Sequence, residues 1–589
     1  MNSNSRRETL AVSTVVGLAA TVFVGSSAIP SLLDDADSFY AEVAREMNLR
    51  GDWITPYANQ IRFLEKPPLF YWLISLSYRI FGTANAFTAR LPTALTVAAL
   101  VFVTFKIGKL LFGQRAGLFG ALALATSFGT FLFTRIILPD ALFTLLLSLI
   151  LYSFLRWQQA EHKTPWLLWL YGFAGLAVMA RGLIGLVFPG AIIFITLAVS
   201  KRLKEGLRLF SLRGCVLFLA IAVPWHVLIG TRNPGFFWFY FINEHLLRFL
   251  GKRYPMDYGT VPLAPFWILH LVWLFPWSIY LATLFRPRNL MSAIAQHSER
   301  LALPFAWALT ILVFFSFSTR LEYYTLPALP AFCLLAGVQC ERFWESGRRS
   351  PGIIAGCVGA VIGVCLIGIA VAVSGGSPAH FLNLTDHPDL YAYYLGHIFD
   401  LTSESFQALR WPLVIAGLGI GIGLPVHAMA RRPGTKAAAL ALGMAVFFFA
   451  ADLGFFIFAP RLTSEPLARE ITGRPNGDSV IVIDGEYEEG CSLAFYTARP
   501  VLIHHTPTSN LEYGSHYADA PDCFIDDEQL RRMWIEKGRR VYLLTFQSKI
   551  AALDSSVAQS SFTIAQSGDK ILLSNLQDVV AFLDLVEAH

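Results

Sequence analysis

Residues 86–115 read AFTARLPTALTVAALVFVTFKIGKLLFGQR. Between Thr88 and Phe105 the one charged residue is Arg90, and Lys106, Lys109 and Arg115 follow at once. An apolar run of about 17–25 residues spans the hydrocarbon core of a bilayer as a helix. Lys and Arg collect in the short connections left on the cytoplasmic side. The segment therefore reads as a transmembrane helix whose C-terminal end faces inward. Similar runs lie at roughly 10–31, 88–105, 116–134, 141–156, 165–180, 183–199, 215–230, 266–285, 302–318, 325–341, 353–374, 412–429 and 437–459, which predicts about 13 transmembrane helices. Across its 589 residues the chain is 55% hydrophobic and 15% charged, against about 25% charged in a soluble domain. That composition excludes an ordinary soluble globule. Seven Cys and an aperiodic distribution of Gly exclude disulfide scaffolds and collagen-like fibres. The expected fold is a polytopic α-helical membrane protein.

Orientation follows from the loops. With the N-terminus inside, the inward connections hold Lys106, Lys109 and Arg115, then Lys201, Arg202, Lys204 and Arg208, then Arg431, Arg432 and Lys436. Basic residues outnumber acidic ones in each inside loop, the pattern of a cytoplasmic face. The net charge of +5 thus belongs to membrane-flanking loops, and no nucleic-acid partner is expected. Two parts are predicted: residues 1–459 in the membrane and residues 460–589 as a small external α/β domain. In the tail, Val480–Asp484, Pro500–His505, Arg539–Phe546 and Lys570–Ser574 have the composition of strands. Asp526–Lys537 places Leu530, Met533 and Trp534 on one helical face. Cys491 and Cys523 both fall in this tail, where an oxidising compartment favours a disulfide.

The conspicuous ionisable residues outside the inner loops gather on the outer side. Leu32–Pro68 reads LLDDADSFYAEVAREMNLRGDWITPYANQIRFLEKPP, with Asp34, Asp35 and Asp37 clustered ahead of an amphipathic helix and Glu65-Lys66-Pro67-Pro68 at its end. Asp140 follows Pro139 at the start of a span, and Arg181 stands alone between two apolar helices. A later loop holds Glu244, His245, Arg248 and Arg253, and another turn holds Arg320 and Tyr324. Charges at membrane depth are costly and mark functional cavities. Cationic and phenolic donors suit a phosphate leaving group, because they stabilise charge that grows in the transition state. A nearby carboxylate suits orientation or deprotonation of an acceptor hydroxyl. Together these residues predict transfer from a lipid-linked phosphate at the outer face.

DDADSFYAEVAREM, GDWITP, RFLEKPPLFYWL, RIILPDALF, ARGLIGLVFPG, FINEHLLRFL and STRLEYYTLPALP resemble the GT-C glycosyltransferases of the protein mannosyltransferase superfamily. The likeness is strongest to the ArnT group, the lipid A 4-amino-4-deoxy-L-arabinose transferases, and LEYGSHYADAPDCFIDDEQL extends it into the tail. The resemblance implies transfer of a sugar from a polyprenyl (undecaprenyl) phosphate to lipid A or another envelope glycoconjugate, with inversion, on the periplasmic face of a bacterial inner membrane. By position it implies Asp35 as catalytic carboxylate, with Asp37 as the alternative because the acid cluster is offset by one residue. Asp140 is the second acid. Lys66, Arg248 and Tyr324 become phosphate ligands. Arg181, Arg253 and Arg320 are further candidates for binding the substrate. The chemistry requires no cofactor; a zinc ion associated with the lipid A enzymes would find Glu65 and His245 here.

Each residue also has a structural reading. Asp35, Asp37 and Asp140 suit helix N-termini. Lys66 suits snorkelling to the interface, Arg181 an ion pair within the bundle, Arg248 and Arg253 outer-leaflet headgroups, and Tyr324 an interfacial aromatic belt. The rival functions are a lipid-linked glycan ligase, a protein O-mannosyltransferase-like enzyme and a non-catalytic lipid or phosphate transporter. No internal repeat is visible in the sequence and no span is expected to break mid-membrane, which disfavours a secondary transporter.

Overall fold

The computed structural model describes residues 3–255, 260–346, 350–373, 408–474, 479–504, 510–536 and 538–577. The chain divides into two compact units. One comprises Met1–Ile29, Leu64–Tyr254 and Tyr258–Ile457; the other comprises Pro30–Phe63, Pro255–Asp257 and Phe458–His589. The expected division ran at 459/460 with Pro30–Phe63 on the membrane side. In the structure Pro30–Phe63 packs with the tail.

The first unit is helical. Among the described residues, eight helices are long and apolar enough to cross a membrane: Ala86–Phe112, Asp140–Gln159, Leu212–Arg232, Glu299–Ser316, Glu322–Glu345, Pro351–Ala372, Arg410–Met429 and Gly434–Pro460. The pair Leu263–Trp273 and Ser278–Leu284, bent by 113°, makes a ninth if it is one span. Four further runs expected to span are also helical. Thr9–Gly25 and Ile184–Val199 are short apolar helices, Gln114–Thr126 and Phe128–Phe133 are parted at Ser127, and Thr164–Arg181 ends on a charge. The helix over residues 86–112 starts at a capping box. Asn85 accepts from the Thr88 amide at 3.0 Å, and Thr88 Oγ1 accepts from the Asn85 amide at 3.0 Å. It packs against Gln114–Thr126 at a glycine contact, where a Cβ on Gly108 would stand 2.6 Å from Gly117 Cα. Small residues of this kind let membrane helices approach backbone to backbone.

The second unit is built on a sheet. Strands β1 (Tyr57–Ala58) and β2 (Ile61–Arg62) form a hairpin turned by Asn59 and Gln60, both at positive φ. Asn59 locks the hairpin to the tail, accepting from the Val501 amide at 2.8 Å and donating to the Val501 carbonyl at 2.9 Å. The tail contributes β3 (Ser479–Asp484), β4 (Leu502–His504), β5 (Phe524–Ile525), β6 (Arg540–Phe546), β7 (Phe562–Ser567) and β8 (Lys570–Ser574), in the order β5-β4-β3-β6-β8-β7. Strands β3 to β6 run parallel and β7 and β8 antiparallel to their neighbours. Val482, Val541, Leu543, Ile571 and Leu573 pack with Leu530 and Trp534 of helix Asp527–Ile535. Asp526 and Gln529 cap that helix reciprocally. The four predicted strands and the helix are present; β5 and β7 are additions, and His505 lies outside the described residues. Cys491 and Cys523 are buried free thiols, so the expected disulfide is absent. Cys491 Sγ instead lies 2.9 Å from Ser38 Oγ.

Candidate active site

In the first unit, Glu65 and Lys66 immediately precede Pro67 and Pro68, and Pro68 leads into helix Leu69–Phe81. Two prolines fix φ and carry no amide hydrogen, which stiffens the chain that presents Lys66. The opposing wall is Trp238–Leu247, which is π-helical. Wide turns of this type concentrate at functional sites.

Glu244 is the hub. Its carboxylate receives Arg253 Nε at 2.5 Å and Arg248 Nη1 at 2.8 Å, and Lys66 Nζ stands 3.8 Å away. Arg253 also donates to Glu65 through Nη2. Asn243 holds the returning chain in place, donating to the Tyr254 carbonyl at 2.7 Å and accepting from the Tyr254 amide at 2.9 Å. Arg248 Nη2 donates to the Tyr324 hydroxyl at 3.1 Å. The Tyr324 ring packs 4.8 Å from Phe315 and 5.2 Å from the Arg181 guanidinium carbon. Arg181 Nη1 reaches Asp140 Oδ2 at 3.0 Å. Asp140 opens its helix, where the macrodipole favours a carboxylate. Lys66, Arg248, Arg253, Tyr324, Arg181, Asp140, Glu65 and Glu244 thus converge within one unit from segments nearly 260 residues apart.

Arg253 and Lys66 differ in kind. Arg253 is buried and bridges two buried carboxylates. Removing one partner of a buried pair strands charge and costs about 3–5 kcal/mol. Arg253→Ala is therefore expected to lower the unfolding free energy by about that much, read as a fall in the thermal midpoint of the detergent-solubilised protein; an unchanged midpoint contradicts this role. Lys66 keeps 3.5 Å from Glu65 and 3.8 Å from Glu244, longer than a strong charge-assisted hydrogen bond of about 2.7–2.9 Å. Burial, followed by the Arg248 charge, pulls its ammonium down to about 8 despite the two glutamates. A cation so disfavoured gains from an anion bound beside it. Burial also opposes ionisation of Glu244, but Arg253, Arg248 and Lys66 outweigh it and hold the carboxyl below its ordinary range.

Glu65 and His245 do not assemble as a metal pair. His245 Nδ1 contacts the Tyr240 carbonyl at 2.6 Å, and Nε2 accepts from the Leu183 amide at 3.1 Å, so the lone pair of the neutral ring is occupied. Burial lowers its pKa, which agrees with a neutral imidazole. Both oxygens of Glu65 face cations. Among the described residues no group of three or more His, Cys, Asp or Glu is placed to hold a metal. The His245 contact depends on Gly182, at φ +73°, because a Cβ there would stand 2.2 Å from His245 Nε2. Arg320 is used locally, donating to the carbonyls of Val261 at 2.7 Å, Ser316 at 3.2 Å and Ser318 at 3.4 Å.

Asp35 and Asp37 belong to the second unit and differ in setting. Asp37 is buried and accepts from the Leu33 amide at 3.0 Å, tying down the entry to helix Ala36–Arg50. Asp35 is exposed and sits at φ 67°, ψ −142°. A residue with a Cβ held there is strained, and such strain gathers at functional sites.

Three comparisons bear on this geometry. The family described as dolichyl-phosphate-mannose-protein mannosyltransferase matches residues 65–228. The undecaprenyl phosphate-alpha-4-amino-4-deoxy-L-arabinose arabinosyl transferases of Pectobacterium carotovorum and Pectobacterium atrosepticum are 27% and 28% identical over 516 and 530 residues, each alignment covering 85% of this chain and 86% of the relative. The crystal structure of ArnT from Cupriavidus metallidurans bound to undecaprenyl phosphate superposes with a TM-score of 0.80 at 23% identity, covering 96% of this chain and 98% of that one. The chain has the GT-C fold of ArnT. Within this ArnT-like fold the mannosyltransferase match opens on Glu65, runs through Lys66, Asp140 and Arg181, and stops before Arg248 and Tyr324. In the sequence Glu244 stands only as one charge of an outer loop. Its spacing to Arg248, one helical turn, was the available signal.

Proposed function

We propose that the protein is an inner-membrane glycosyltransferase that moves a sugar from a polyprenyl phosphate, of the undecaprenyl class, to a lipid A-type acceptor on the periplasmic face, with inversion. The observation that carries the proposal is the convergence of Lys66, Arg248, Arg181 and Tyr324 in a chain whose fold matches ArnT crystallised with undecaprenyl phosphate. The similarity to undecaprenyl phosphate-aminoarabinose transferases over 85% of the chain supports the same donor class.

The acceptor oxygen attacks the anomeric carbon from the face opposite the phosphate. The carbon–oxygen bond to the phosphate breaks, and its electron pair leaves on the phosphate. Lys66, Arg248 and Tyr324 donate to the oxygens on which this charge grows, so they stabilise the transition state more than the bound donor. Arg181, held by Asp140, adds positive charge over the Tyr324 ring. Asp35 serves as the catalytic carboxylate that orients the acceptor or takes its proton; its exposure and strained backbone support that choice over the buried Asp37. No step draws on a cofactor.

The proposal places the N-terminus in the cytoplasm and the second unit outside. Alkaline phosphatase, active only outside the cytoplasm, is expected to work when fused after His589 and to fail when fused after Arg208. Activity after Arg208 would put that basic loop on the outer face and contradict the topology. Mass spectrometry of lipid A from cells with and without the gene tests the acceptor. An added sugar that depends on the gene supports lipid A, whereas unmodified lipid A alongside a modified protein or glycan contradicts it.

A further inference from the structure

We infer that Lys570 is a positioning residue for transfer: its ion pair with Asp34 fixes the backbone on which Asp35 stands. The inference rests on the catalytic role proposed for Asp35. Its geometry lies wholly within the second unit.

Asp34 is buried and fully engaged by the tail. Lys570 Nζ donates to its Oδ2 at 2.6 Å, Ser464 Oγ donates to the same oxygen at 2.8 Å, and the Ser492 amide donates to Oδ1 at 2.7 Å. The Asp34 amide donates to the Leu462 carbonyl at 2.9 Å. One residue later, the Asp35 amide donates to the Glu488 carbonyl at 2.8 Å, and the Cys491 thiol lies 3.4 Å from the Asp35 carbonyl. Asp37 then closes back on the Leu33 amide. The Asp35 peptide is held on both sides while its side chain stays at the surface.

These contacts explain how Asp35 keeps a conformation disfavoured for a residue with a Cβ, because such strain persists where the surroundings over-determine it. Lys570 is the cation of the set. It opens β8, is itself buried, and pairs in register with Phe546 of β6 and Ser567 of β7. The lock is therefore anchored in a strand paired on both sides within the tail's sheet. An isolated buried carboxylate is unstable, so Asp34 remains in place only while Lys570 faces it.

The test uses full-length protein in detergent and two readouts. Lys570→Met keeps the length of the side chain and removes the charge, Lys570→Arg keeps the charge, and Asp34→Asn removes the partner charge while preserving shape. In Lys570→Met, amide hydrogen exchange in residues 33–39 is expected to rise at least about tenfold, and kcat to fall at least about tenfold with the donor KM changed less than about twofold. Lys570→Arg is expected to restore most of the protection and turnover. Asp34→Asn should reproduce the Lys570→Met pattern, and it decides the matter if Lys570→Met fails to fold. Unchanged exchange in the folded variants overturns the inference. So does faster exchange with unchanged kcat, which leaves Lys570 merely structural. If the unaltered protein transfers no sugar, the proposed function fails, and the exchange readout alone decides whether Lys570 pins this loop.

Discussion

Lys66→Ala is expected to lower turnover of a polyprenyl-phosphate sugar by about 10²–10³-fold, the scale seen on removing one donor to a developing oxyanion. Donor KM should change far less, because the ammonium matters most when the phosphate gains charge. Lys66→Arg is expected to recover part of the rate, since a planar fork presents its charge differently from an ammonium. The same residue sets a pH limb. The protonated form is the donor, and its pKa in the unliganded protein is lowered to about 8. Above that value the proton is lost, and kcat/KM falls by about tenfold per pH unit. Arginine stays charged throughout this range, so Lys66→Arg should remove the limb. Steady-state kinetics with a short-chain donor across pH 6–10 decides the point. Full turnover by Lys66→Ala would make the residue an interfacial anchor.

Asp35→Asn is expected to cost about 10²–10⁴-fold in rate with normal membrane insertion, the range for loss of a general base or orienting charge. Asp37→Asn should act differently. Asp37 is buried and accepts from the Leu33 amide, a bond the Asn carbonyl oxygen can also accept, so Asp37→Asn is expected to keep the helix entry and its stability nearly intact while transfer survives. Activity and thermal midpoint measured on both variants separate the two roles. An inactive Asp37→Asn beside a fully active Asp35→Asn would exchange them.

Much of this was legible in the sequence because its physics is local. A mostly apolar run of 18 residues, Thr88–Phe105, followed by Lys106 and Lys109 can be read without a partner, and the strand composition of Arg540–Phe546 and the apolar face of Leu530, Met533 and Trp534 are likewise short-range. The likeness at Glu65-Lys66-Pro67-Pro68 named Lys66. What the sequence withheld depends on distant contacts. Nothing near Asp34 announces Lys570, 536 residues away. The same holds for Arg253, which counts as a phosphate ligand by charge alone but spends its guanidinium on Glu65 and Glu244. Cys491 and Cys523 suggested a bridge by compartment, whereas packing gave Cys491 to Ser38. The span count is similarly sensitive to packing, since Ser127 and the 113° bend break runs that composition reads as continuous.

The most direct test incubates the purified protein with an undecaprenyl-phosphate sugar and a lipid A acceptor and measures free undecaprenyl phosphate. The account predicts that undecaprenyl phosphate and glycosylated lipid A appear in equal amounts, and that both are lost in Lys66→Ala and Asp35→Asn. An intact donor, in a preparation that binds undecaprenyl phosphate but never breaks the sugar–phosphate bond, would contradict it and leave a lipid-phosphate-binding protein without this chemistry.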